Sequence, residues 1–151
     1  MRIDQVMTRG LEIVSPDMTV KEAAIRMAEA DVGAILVGSQ ERLCGILTTR
    51  DIIIRLVAEG RDPGAVSVGD IMSSTLFVCS ENDSVEQAIA EMKKRQVRRL
   101  PVIDAAKKPI GIVVLSDLSK HLSAADAEQL RRVVEPHRDM DGAHPDDSEA
   151  E

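Results

Sequence analysis

The sequence predicts an α/β fold of the α+β kind, in which two β-α-β-β-α repeats pack about a pseudo-twofold axis. Two observations carry that prediction. The chain repeats itself, and in each copy the apolar spacing changes in the same order from strand-like to helical and back. Displacing the chain by 65 residues lays Met7 on Met72, Val20 on Val85, Ala23 on Ala88, Met27 on Met92 and Val32 on Val97. One extra residue in the loop DAAKKP changes the displacement to 66, and then Gly45 meets Gly111, Ile46 meets Ile112 and Asp51 meets Asp117. A copy of about 60 residues buries little surface, so neither half is expected to stand alone.

Each copy begins with a short apolar strand, LEIVS in the first and TLFVCS in the second. A helix start follows. Thr19 with Glu22, and Ser84 with Gln87, have the spacing of capping boxes, in which each side chain satisfies a free backbone donor of the other. Val20, Ala23, Ala24, Met27 and Ala28, and in the second copy Val85, Ala88, Ile89 and Met92, then recur at helical intervals. Two apolar runs come next, GAILVG with CGILTT and RRLPVID with IGIVVL, each pair flanking a polar loop as the strands of a hairpin do. An aspartate six positions after the glycine opens the closing helix in both copies, in GILTTRDIIIRL and GIVVLSDLSKHL. The boundaries expected are residues 1–58 and 71–122 for the repeats, with 59–70 as linker, where Pro63 and Gly64 interrupt the chain. A C-terminal helix is expected over 123–134 and an acidic, disordered tail over 135–151.

Composition excludes several functions. The tail from Glu135 carries seven acidic residues and one arginine, so nearly all of the net charge of −7 sits there and the body is close to neutral. Nucleic-acid binding needs cations to neutralise phosphates, and stacking needs aromatics, of which Phe77 is the sole example. No apolar run reaches the ~18 residues of a membrane span. MRIDQVMTRG lacks the apolar core of a signal peptide, so the cytoplasm is the expected location. Cys44 and Cys79 lack CxxC spacing and are expected as buried free thiols, with a structural disulfide between them as the alternative. His121, His137 and His144 have no close ligand spacing, and DMDG at 139–142 lacks the remaining acids of a calcium loop, so no metal site is expected. There is no P-loop, GxGxxG, GxSxG or HExxH, and no nucleophile with a base in evident reach, so no enzymatic activity and no required cofactor are expected.

The ordered set that occurs twice, VMT or IMS opening each copy, GILTTRDI at 45–52 and VRRLPVID at 97–104, resembles a tandem pair of CBS (cystathionine β-synthase) domains, the Bateman module. The resemblance covers roughly residues 1–122. It implies a regulatory fold that binds adenosine nucleotides (AMP, ADP, ATP or S-adenosylmethionine) in two clefts between the repeats. It further implies that a motif threonine and aspartate hold ribose while basic residues ahead of the central strand reach phosphate. Thr48 and Asp51 match the motif in full; the second copy keeps Ser116 and Asp117 but has Val114 for the threonine. Arg98 and Arg99 fill the basic positions, where the first copy has Gly33 and Ala34. Interlocked copies would let those arginines serve either cleft.

The chemistry is sound in itself: an ionised carboxylate accepts from both ribose hydroxyls, and an arginine fork suits phosphate oxygens. A plain alternative is that each aspartate merely caps its helix, and that Lys93, Lys94 and Arg95 are a solvated helix end. Two functions follow. The first is a nucleotide-sensing module, commonly a homodimer in this family, that signals through a second copy or through a protein partner the sequence does not identify. The second is a CBS scaffold that binds partners and no nucleotide.

Overall fold

Helix starts show how local sequence is obeyed. Ser84 and Gln87 form the full box, Ser84 N–H donating to Gln87 Oε1 at 2.7 Å and Gln87 N–H to Ser84 Oγ at 3.1 Å. At Thr19 the bond runs one way, from Glu22 N–H to Thr19 Oγ1 at 3.2 Å. Both helices stop on a residue in the left-handed region, Asp31 and Gln96, at matched places of the repeat. The computed structural model describes residues 1–125 together with Ala127 and Glu128; most of the expected 123–134 helix and the whole 135–151 tail, with His137, His144 and DMDG, lie outside them.

The described residues divide into two compact units, one of residues 12–76 and the other of 1–11 with those described from 77 onward. In the first unit the elements are β1 (Ile13–Val14), α1 (Val20–Ala30), β2 (Ala34–Gly38), β3 (Leu43–Thr48), α2 (Thr49–Ile52), which continues as a π-helical turn over Ile53–Val57, and α3 (Val68–Ile71). β1 lies parallel to β2, and β2 antiparallel to β3, with Ala34 opposite Thr48 and Val37 opposite Gly45. Val14, Val20, Ala23, Met27, Val37, Leu47, Leu56, Val68 and Ile71 are among its core. Val66 and Val68, from the stretch joining the sequence repeats, are buried there, and Val20 N–H donates to Val66 O at 3.0 Å.

The other unit contains β4 (Cys79–Ser80), α4 (Val85–Arg95), β5 (Arg99–Ile103), β6 (Pro109–Val114) and α5 (Leu115–Leu118), in the same strand order. Its core includes Val85, Met92, Leu100, Val102, Val113 and Leu118, and also Ile3 from the far end of the chain, which is fully buried. Ile3 N–H donates to Asp83 O at 2.9 Å and Val85 N–H to Met1 O at 3.0 Å.

Sequence repeat and compact unit therefore do not coincide, because each opening segment completes the sheet of the other copy. Thr8 pairs with Ile112 on β6, and Ser73 pairs with Ile46 on β3. The repeated glycines permit this. A Cβ on Gly45 would meet Ser73 O, and one on Gly111 would lie 2.7 Å from Met7 Sδ and 2.8 Å from Thr8 O. Only a residue without a side chain lets the strap lie this close.

Two expectations need correction. Cys79 is buried, but Cys44 is exposed: on β3 the alternation of faces turns Cys44 outward while Gly45 and Leu47 face in. Arg95 is also more than a solvated helix end, since its guanidinium lies 4.5 Å from the Phe77 ring centre and its Nε 2.8 Å from Glu91 Oε1.

Candidate functional site

In the first unit, β3 ends on Thr48 and the chain turns directly into α2. Thr48 is the N-cap. Its Oγ1 accepts from Asp51 N–H at 3.1 Å, and Asp51 Oδ2 accepts from Thr48 N–H at 3.0 Å. The turn docks on the start of β2, where Thr49 N–H donates to Gly33 O at 2.9 Å. Both side chains of the box are buried, Thr48 and Asp51 each 1% exposed. Asp51 is thus the third helical residue of a reciprocal box and not the N-cap, since the threonine ahead of it supplies the capping oxygen.

Arg55 belongs to the same cluster. Its Nη1 donates to the carbonyls of Ile71 and Met72 at 3.1 and 3.2 Å, and its Nε stands 3.9 Å from Asp51 Oδ1. Sequence reasoning passed over this residue. Its signal was the i,i+4 spacing from Asp51 to Arg55, which puts opposite charges on one helical face.

The other unit gathers Arg98, Arg99, Ser116 and Asp117 around the corresponding turn. Leu115 N–H donates to Arg98 O at 2.8 Å, and Arg99 lies opposite Val114 in the β5–β6 ladder. Arg98 Nε is buried without a hydrogen bond among the described residues. Ser116 is exposed. Asp117 is not the N-cap here either: Val114 holds that position and has no oxygen to offer, so α5 has no side-chain cap. The Asp117 carboxylate instead lies 3.3 Å from Lys120 Nζ. One acidic turn is closed on itself, and its repeat is open. A threonine against a valine makes the difference.

Burial raises the Cys79 thiol from 9.0 to about 12, with the carboxylates of Asp83 and Glu91 adding to the effect. That thiol is therefore inert packing. No group of three or more His, Cys, Asp or Glu side chains among the described residues is placed to hold a metal ion. No described helix is long and apolar enough to cross a membrane.

Two three-stranded sheets of identical order, each closing on an acidic turn, define a tandem structural repeat. The family model for the CBS domain matches twice, over residues 3–58 and 68–124, and the chain belongs to that family. It is 43% identical over 117 residues to the CBS domain-containing protein YhcV of Bacillus subtilis, covering 78% of this chain and 82% of that protein. Among solved structures it resembles Hypoxic Response Protein I with two coordinated zinc ions, at TM-score 0.72 and 34% identity, covering 81% of this chain and 99% of the other. It also resembles CBSX2 in complex with AMP, at TM-score 0.66 and 25% identity, covering 87% and 98%.

Proposed function

We propose that this chain is a regulatory CBS pair that senses an adenosine nucleotide, with Thr48 and Asp51 holding the ribose. The observation that carries this reading is the intact Thr48–Asp51 box, a carboxylate and a hydroxyl fixed within one turn. The AMP complex of CBSX2 supplies the ligand class. Arg98, Arg99, Ser116 and Asp117 form the second, weaker position: its arginines suit phosphate, but Val114 lacks the hydroxyl. Occupancy shifts the protein only through differential affinity for two arrangements, and the output passes to a second copy or to a protein partner. The place of action is the cytoplasm.

The test is a thermal melt against AMP, ADP, ATP and S-adenosylmethionine, followed by calorimetry. A ligand at 100 times its Kd adds about 2.7 kcal/mol. Asp51→Asn is the informative variant because its amide oxygen still accepts from Thr48 N–H, so the turn keeps its cap while the charge is lost. Wild type should bind at least about tenfold more tightly than this variant. Equal affinities remove Asp51 from the site.

A second reading, a scaffold that takes no nucleotide, has its own observation. Asp51 is buried with Oδ2 already engaged, while Ile53, Ile54 and Val57 on the continuing helix are exposed. A panel that leaves the melting temperature unmoved, with a stable oligomer in solution, favours it.

A further inference from the structure

We propose that Arg55 is the cation that receives the phosphate of a nucleotide seated at the Thr48–Asp51 turn, an inference that rests on the nucleotide reading above. The first copy has no counterpart of Arg98 and Arg99, since Gly33 and Ala34 stand there. Its cation is supplied from the other side of the turn. Arg55 is followed in the second copy by His121 at the matching position, so the copies carry their positive charge in different places.

The geometry makes Arg55 a prepared donor. A guanidinium has five N–H donors in a rigid fork. The carbonyls of Ile71 and Met72 hold Nη1, and Nε points to Asp51 at 3.9 Å, longer than the ~2.7–2.9 Å of a tight charge-assisted bond. Nη2 makes no hydrogen bond among the described residues, and the side chain is 39% exposed. The fork is anchored along one edge and free along another. A donor already immobilised loses little further entropy on meeting an anion.

Local backbone agrees. The helix leaves α geometry for a π-helical turn over Ile53–Val57, closed by Ala58 N–H to Ile53 O at 2.9 Å. Such turns are rare overall and frequent at functional sites. Arg55 sits in the middle of this one, while the second copy continues α5 as a 3-10 turn over Ser119–His121.

The test compares AMP with adenosine by calorimetry on the full chain. Wild type should bind AMP at least about tenfold more tightly than adenosine, the value of one charge-assisted contact. Arg55→Gln should lose most of that advantage while adenosine affinity changes less than about twofold. Arg55→Lys keeps the charge without the fork and should retain an intermediate advantage, and it serves if circular dichroism shows the glutamine variant unfolded. Three results overturn the assignment: equal affinity of wild type for both ligands, a parallel loss of both in Arg55→Gln, or an undiminished AMP advantage in either variant. Wild type that binds neither ligand instead overturns the nucleotide reading itself, and the assignment falls with it.

Discussion

Thr48→Val makes the first copy carry the residue its repeat already has at Val114. Valine is close to threonine in shape, so no cavity opens, and the change is confined to one hydroxyl. That hydroxyl accepts from Asp51 N–H at 3.1 Å in a place 1% exposed to solvent, where water cannot replace it. Loss of an N-cap oxygen costs about 0.5–2 kcal/mol, and a buried donor left without an acceptor about 1–3 kcal/mol. These describe one lost bond and do not add, so about 1–2 kcal/mol of destabilisation is expected. The bond from Thr48 N–H to Asp51 Oδ2 survives, which keeps the figure from rising further. Val114→Thr is the mirror experiment. It gives α5 a capping oxygen it lacks and should stabilise by about 0.5–1 kcal/mol, the lower part of the same range. Urea unfolding of both variants measures the midpoint, with the slope as a check that the unfolded state is unchanged. A neutral Thr48→Val, or shifts of the same sign for the two substitutions, would refute the account of the turn as a capping box in one copy and an open end in the other.

Further outcomes follow from the same structure. Gly111→Ala places a methyl 2.7 Å from Met7 Sδ and 2.8 Å from Thr8 O, so about 1–3 kcal/mol of overpacking is expected, with faster hydrogen exchange at the Thr8 and Ile112 amides. Ile3→Ala should cost about 2–5 kcal/mol despite lying near the terminus, because Ile3 is fully buried; a loss under about 1 kcal/mol by denaturant titration would contradict its place in the core. At pH 8 a thiol reagent should modify Cys44 at once and Cys79 only as fast as the chain unfolds; two rapid equivalents would contradict the burial of Cys79. The folded chain keeps the Cys79 proton that the unfolded chain releases above pH 9.0. Stability from this group is therefore complete below 9.0 and declines as pH rises toward about 12, and Cys79→Val should flatten that alkaline limb.

The repeat, the element order and the helix starts were legible in the sequence because each depends on neighbours within a few residues. Ser84 with Gln87 is such a case, and so is the apolar spacing along α4. Position alone makes each aspartate a candidate cap. Which oxygen caps which N–H depends on the residue three places earlier and on a turn tight enough to bring the two together, so Thr48 emerged as the cap and Asp51 as its answering partner. The exposure of Cys44 is not legible in the sequence, because an apolar run does not say which face of β3 points inward.

What the amino-acid order determined by itself was a doubled unit with an acidic turn at the end of each copy, since hydrophobic period, turn residues and capping spacing are local properties of the chain. Tertiary structure decided the exchange of opening segments, which explains both glycines, and it decided that Arg55 joins the Asp51 turn to the end of α3. Those contacts join residues 16 and 17 positions apart at Arg55 and many more at Ile3. Their free energy comes from burial and from geometry closed across the fold, and no short-range pattern encodes it.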